Sequence, residues 1–296
     1  MKEFHLLSKS KLSVLILIVL PFCGCASVTT GNSSHSRALS HEEIANIVSS
    51  PNRSPEDKEA DTRRKPVELL TFIGIHPGIT ALDLSSGGGY TTELITRAIG
   101  PSGHVYGQSP PVVKQVAPPQ PGRNETLKSE SIPVPSVASP KVRLSSPDAL
   151  NKRIDQTGLK NITPLILPFS NPIPPELANA HLDLVTFIYN YHDLAHQDVD
   201  RIAMNTHIYD ALKPGGLYII ADHSGRQGTG ISESATLHRI EEKFLIDEVT
   251  AAGFKLQARG DFLQNLGDPR TENTLVSGQL KDGFILKFIK PASIKP

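Results

Sequence analysis

The chain has 296 residues, with 30 Lys plus Arg against 30 Asp plus Glu, a formal charge of zero. That balance gives no electrostatic footprint for nucleic acid, and the absence of tryptophan with only 5% aromatics removes a base-stacking platform. Both cysteines, Cys23 and Cys25, lie near the N-terminus, so the rest of the chain has no thiolate zinc site, cysteine nucleophile or disulfide.

Lys2, Lys9 and Lys11 precede an apolar run from Leu12 to Phe22. The run is short of the about 20 residues that a membrane-spanning helix needs. It has the proportions of a secretory leader, expected over residues 1–24. Phe22-Cys23-Gly24-Cys25-Ala26 resembles a bacterial lipobox. That resemblance implies a lipidated Cys25 and a chain anchored to a membrane and facing the periplasm. An ordinary leader cut near Ala26 is the alternative. Residues 25–40, rich in Ser, Thr and Gly, read as a flexible tether.

A helix is expected over His41 to Val48. Another starts at Pro55 behind the cap Ser54 and is broken or restarted at Pro66. Val67 to Ile73 continues as an apolar helix. Thr80-Ala81-Leu82 reads as a buried strand, Asp83 to Tyr90 as a glycine turn, and Thr91 to Ile99 as a helix. Gly103 to Gly107 is a second strand. Nine prolines between residues 109 and 147 exclude a continuous helix there and predict an irregular excursion. Ser146-Pro147-Asp148 opens a helix that ends near Gly158, and Ile162 to Leu167 is a strand. Asp183 to Tyr189 is a strand. His196 to Leu212 is a helix with Val199, Ile202, Ala203, His207 and Leu212 facing inward. Leu217 to Asp222 is a strand, Glu233 to Ala252 a helix, and Phe254 to Ala258 and Phe284 to Ile289 are the last strands. Alternating strands and helices predict an α/β fold, a mostly parallel sheet covered on both faces.

The glycine turn carries the functional signal. A strand, a glycine turn and a helix in that order make a nucleotide cradle, because the backbone can approach a ligand and the helix start presents free N–H groups. In the dinucleotide fingerprint G-x-G-x-x-G the acid follows about 20 residues later. Here Asp83 precedes Gly87 and Gly89. The order acid-x-small-x-Gly-x-Gly resembles motif I of class I S-adenosyl-L-methionine (SAM)-dependent methyltransferases. Gly103 to Gly107, Leu182 to Phe187 and the turn Leu212-Lys213-Pro214-Gly215-Gly216 fit later elements of that fold.

A closer resemblance, over roughly residues 40 to 290, is to a bacterial group of exported methyltransferases predicted from sequence, whose substrate is not established. Asn190-Tyr191-His192-Asp193, Asp222-His223-Ser224, Leu237-His238-Arg239-Ile240 and Asp268-Pro269-Arg270 are among the stretches that carry it. The resemblance implies a Rossmann-like class I methyltransferase fold, with a mostly parallel seven-stranded sheet, an antiparallel last strand and helices on both faces over residues 41–296. It implies SAM as cofactor and methylation of a small molecule or envelope component. It places cofactor contacts at Asp83, Ser85, Gly87, Gly89, Tyr90, Gln108, Phe169 and Asn190. Ser85 stands where the first motif glycine usually is, so a left-handed backbone is not expected there. Gln108 stands where a ribose-gripping carboxylate usually ends the second strand; its amide can still donate and accept. Leu167, Pro168 and Phe169 are expected to wall the adenine.

In an open α/β sheet, ligands bind at the C-terminal ends of the strands. His192 with Asp193 and Asp222 with His223 are expected to converge on that rim as the catalytic candidates. His192 or His223 would be the base; a structural hydrogen-bonded histidine is the alternative for each. His192-Asp193-Leu194-Ala195-His196 is one methylene short of the H-E-x-x-H zinc motif. A zinc-dependent hydrolase using His192 and His196 is therefore a rival reading, although no resident metal is expected. Residues 223 to 232 read as a lid or a plain connector. Asp61, Arg64 and Lys65 could close the pocket, and Arg270 could receive an anion. SAM is made in the cytoplasm, so an exported enzyme would have to receive it or act before export. A non-catalytic ligand-binding lipoprotein on the same fold is the second functional reading. The expected partners are a small-molecule substrate and, through the lipid anchor, a membrane.

Overall fold

Several helix starts in this chain are set by side chains that satisfy the first free amides. Ser40 accepts from the Glu43 amide while Glu43 accepts from the Ser40 amide, a capping box that opens α1 (His41–Val48). Ser54 caps α2 (Pro55–Arg64) through the Asp57 amide, with Pro55 at the first position as expected. Lys65 turns left-handed before Pro66, and α3 (Pro66–Ile73) restarts behind it. The computed structural model describes Met1 and residues 37–111, 145–276 and 280–292. The expected leader, lipidated Cys25 and most of the tether and of the proline-rich segment fall outside those residues. Among the described residues, no helix is long and apolar enough to cross a membrane.

Seven strands form one sheet. They are β1 (Thr80–Leu84), β2 (His104–Ser109), β3 (Ile162–Ile166), β4 (Leu182–Ile188), β5 (Leu212–His223), β6 (Lys255–Gly260) and β7 (Gly283–Ile289). Their order is β3-β2-β1-β4-β5-β7-β6. The first five run parallel, and β7 is antiparallel to both β5 and β6. The expected seven-stranded sheet with an antiparallel last strand is what forms. β1 and β4 are buried almost end to end, as parallel strands covered on both faces must be. Successive residues of β1 alternate between two apolar cores. Ala81 packs with Ile44, Leu70 and Ile95, under α1, α3 and α4 (Tyr90–Ile99). Leu82 packs with Phe187, Met204, Tyr218 and Val249, on the face of α6 (Arg201–Ala211) and α8 (Glu242–Ala251). Strand order reverses between β1 and β4, and a crevice opens at such a switch point.

Two expected helices differ from what forms. α6 begins at Arg201, not His196, because Asp200 caps it through the Ala203 amide. Its inward residues are Met204, Asn205, Ile208 and Ala211, while Ile202 is 75% exposed. The expected helix from Glu233 to Ala252 is broken into α7 (Ser234–Leu237) and α8, with His238 left-handed between them. The break has a tertiary cause. The Ile240 amide donates to the His223 carbonyl, and the Ile240 carbonyl accepts from Gly225, adding a short parallel bridge beside β5. The Lys213-Pro214-Gly215-Gly216 turn lies inside β5, where pairing jumps from Leu182–Leu212 to Leu184–Leu217.

Candidate functional site

The crevice between β1 and β4 is shaped by the glycine turn. Ser85 adopts φ 53° after all, followed by Gly87 at 55° and Gly89 at 81°. The expectation that a serine would resist this conformation is corrected by its bonding. The Ser85 amide donates to Gln108 Oε1 at 3.1 Å and the Ser86 amide to the Gln108 carbonyl at 2.8 Å. Those bonds outweigh a left-handed cost of about 1–2 kcal/mol. α5 (Ser146–Thr157) lies against the turn. A Cβ on Gly89 would meet the Leu150 side chain at 2.6 Å, and the left-handed φ of 81° is what reserves the position for glycine. Arg153 on α5 donates to the Gly88 carbonyl and pairs with Asp57 on α2 and Glu93 on α4.

Asp83 is buried at the end of β1, where its two oxygens accept from the Thr92 and Thr186 hydroxyls at 2.6 and 2.7 Å. Burial pushes its carboxyl up to about 6, against those hydrogen bonds and the nearby Arg64 charge. Above it lies a cavity of about 370 Å³, lined by Arg64, Asp83, Ser86, Gly87, Tyr90 and Asn190 among others. That volume is at the lower end of small-ligand sites. Arg64 lies 4.7 Å from the Tyr90 ring and 5.8 Å from the Tyr189 ring, a cation–π arrangement. Burial lowers its pKa. No carboxylate among the described residues reaches it within salt-bridge distance. The Ser86 hydroxyl is likewise buried without a partner. Asp61 does not face the cavity as a free charge; it is held by Arg53 at 2.7 Å and accepts from the Tyr90 hydroxyl at 2.6 Å.

A second cavity of about 440 Å³ adjoins this region and is lined by Tyr189, His223, Arg63, Leu263, Leu275 and Lys281 among others. The Tyr189 and His223 rings stack at 4.8 Å. The buried Nδ1 of His223 has no partner, and burial pushes the imidazole down to about 4.

The other candidates are placed differently. His192 is buried with both nitrogens occupied: Nδ1 is 2.6 Å from Asp222 and Nε2 3.1 Å from Asp193. Burial opposes its charge, but the two carboxylates prevail and push it up to about 10. It keeps its proton at neutral pH, so His192 is corrected from base to positioning group. Asp222 is fully buried and accepts the His192 amide as well as the ring. Asp193 faces His192, His196 and His238 and lines neither cavity. Of the catalytic candidates, only His223 lines a cavity.

Among the cofactor candidates, Asp83, Ser85, Gly87, Tyr90 and Asn190 line the first cavity, while Gly89 is covered by α5. Gln108 and Phe169 are corrected. Gln108 is fully buried; beyond its bond to Ser85, its Nε2 donates to the Leu167 carbonyl at 2.6 Å, so the amide clamps strand ends. Phe169 stacks on Phe187 at 5.7 Å in the core and lines no cavity. The expected lid is stapled down: Gly230 exchanges bonds with Glu241, and a Cβ on Gly225 would strike the Ile240 backbone at 2.8 Å. Arg270 is paired with Asp282 at 2.8 Å, not open to an anion. The Arg64–Tyr90–Tyr189 stack and the Arg153 junction join residues far apart in sequence, and no local pattern marks them.

No family model and no curated protein matches the chain. Solved structures do. A SAM-dependent methyltransferase from Aquifex aeolicus aligns with a TM-score of 0.51 at 15% identity, covering 85% of this chain and 99% of its own. A protein from Galdieria sulphuraria assigned as a sarcosine dimethylglycine methyltransferase aligns at 0.50 with 14% identity, covering 80% and 88%. The likeness agrees with the strand order and the antiparallel β7. The chain has the Rossmann-like fold of the class I methyltransferases.

Proposed function

We propose that this chain binds SAM in the cavity above the glycine turn and transfers its methyl group to a small-molecule acceptor in the neighbouring cavity. The observation that carries the reading is Arg64, a half-buried guanidinium at the switch point without a carboxylate partner among the described residues. An amino-acid carboxylate would complete it with charge-assisted hydrogen bonds. The first amides of α4, beside the same cavity, favour negative charge. The donor set therefore fits the methionyl end of the cofactor. The ribose-gripping role expected of Gln108 has no counterpart among these contacts.

Bound there, SAM supplies an electrophilic methyl group on a sulfonium. The protein's own part is alignment, exclusion of water and removal of a proton. Alignment can supply about 7–11 kcal/mol of the barrier, and a positioned base about 10²–10⁴-fold. His223 is the base in this reading, since its ring lines the second cavity and burial keeps the imidazole neutral at neutral pH. Tyr189 positions it by stacking.

Calorimetry with SAM and with its demethylated product tests the proposal. Micromolar binding is expected, weakened at least about tenfold by Arg64→Met, the loss of one charge-assisted contact. No binding to the wild-type chain overturns it. Turnover with candidate acceptors, lost in His223→Gln while SAM still binds, tests the base.

The chain is further proposed to be exported and lipid-anchored, on the strength of the leader and lipobox pattern at residues 1–26. Incorporation of a labelled fatty acid that vanishes in Cys25→Ala supports this. Absence of label in the wild type overturns it.

A further inference from the structure

Three histidines converge on one carboxylate oxygen beside the rim of β4. Asp193 Oδ1 lies 3.1 Å from His192 Nε2, 3.0 Å from His238 Nδ1 and 3.8 Å from His196 Nε2. We propose that His192, Asp193 and His238 form a site for a divalent transition cation, with Zn²⁺ as the best fit, and that His196 moves in on binding to complete a four-coordinate shell. The site is separate from both cavities and stands whether or not SAM binds.

Distances support it. Zinc takes nitrogen and oxygen ligands at about 2.0–2.2 Å, so neighbouring ligand atoms of a tetrahedron lie about 3.3–3.6 Å apart. The observed separations bracket that edge length. Ligand atoms of His192, Asp193 and His238 all fall within 4.8 Å of one another.

Proton placement gives an independent argument. The Ser234 hydroxyl donates to the His192 carbonyl, so its oxygen must accept from His196 Nδ1, 3.0 Å away. That fixes the proton of neutral His196 on Nδ1 and leaves a lone pair on Nε2, facing Asp193. His192 likewise has Nδ1 engaged by the buried Asp222, with Nε2 turned to Asp193, and a cation bound there would displace the proton that Nε2 carries. At His196 a lone pair opposite the Asp193 carboxylate is repulsive unless a cation stands between them. Outer partners that fix the tautomer and leave the inner nitrogen free are the usual support of metal-binding histidines.

The chain pattern agrees. His192 opens a 3₁₀ turn (His192–Leu194) and His196 follows it, rather than both lying on one helix, which lets Asp193 join them from between. His238 arrives with φ 53°, the left-handed residue that breaks the expected long helix. Asp193, His196 and His238 keep about a quarter to a third of their side-chain surface exposed, so an ion can enter. Four protein ligands close the shell, which is the form of a structural site, not of the open hydrolase site. The cation would tie the turn after β4 to the α7–α8 junction.

The test uses the full chain, stripped with a chelator and titrated with Zn²⁺ against a chromophoric competitor and, separately, with Co²⁺. Expected are one equivalent of tight binding, visible Co²⁺ bands of four-coordinate geometry, and a Zn²⁺-dependent rise in Tm. The partly exposed pair H196A/H238A should lose the Co²⁺ bands while keeping its far-UV circular dichroism. Ser234→Ala should weaken binding about 10–100-fold through loss of orientation. His41→Ala, on exposed α1, should change nothing. No saturable uptake by the wild type, or uptake unchanged in H196A/H238A, overturns the proposal. Co²⁺ bands of octahedral geometry overturn the closed four-ligand shell.

Discussion

Replacing Asp83 by Asn should reshape the pH dependence of stability. The folded carboxyl sits at about 6 because burial disfavours its charge, against an ordinary 3.8. Between those values the folded chain holds a proton that the unfolded chain has already released. Stability therefore falls as pH rises through the window from about 4 to 6, the opposite of a salt-bridged aspartate. A shift of about 2 pKa units at 1.36 kcal/mol each amounts to about 3 kcal/mol lost by pH 7. Asp83→Asn keeps the shape and can bond both Thr92 and Thr186, since each hydroxyl can donate or accept. It cannot titrate. Urea unfolding of both proteins at pH 4, 5, 6 and 7 isolates the effect, because the other groups cancel in the difference. The Asn variant should gain about 3 kcal/mol on the wild type between pH 4 and 7. Parallel profiles, or a variant that loses ground as pH rises, would refute the reasoning.

Gly89→Ala forces a side chain into a left-handed position against Leu150 and should cost well over about 1 kcal/mol, read as a lowered denaturant midpoint. Ile208→Ala should cost about 2–5 kcal/mol while Ile202→Ala stays within about 0.5, because only Ile208 is buried. The reverse ranking would restore the helix phase expected from sequence. Arg239→Met strands Asp268 in the interior without its 2.8 Å partner and should cost about 3–5 kcal/mol in chemical denaturation.

The sheet and the glycine turn were legible because their signals are local. A buried strand such as Leu182–Ile188 shows itself as an apolar stretch broken only by Asp183 and Thr186, and capping at Ser40 or Ser54 is decided within three residues. The phase of α6 was not legible, because Ile202 supplies an apolar residue that stays exposed, Val199 packs from outside the helix, and Asp200 resets the start. The break between α7 and α8 depends on a bond from Ile240 to His223, which no helical periodicity encodes. In the site, Gln108 and Phe169 have the right chemistry for a ligand, but burial assigns them to the scaffold. The roles of His192 and His223 separate only once the carboxylates around each are known.

Arg153 has a consequence for how this cradle can change. One guanidinium joins the Gly88 carbonyl to acids on two helices, a fork that a lysine ammonium cannot reproduce. The shape of the turn is thus common property of α2, α4 and α5. Altering Asp57, thirty-one positions before Gly88, would loosen the turn without touching it. The geometry of the turn is open to adjustment from a distant helix, while the loop itself stays fixed in sequence.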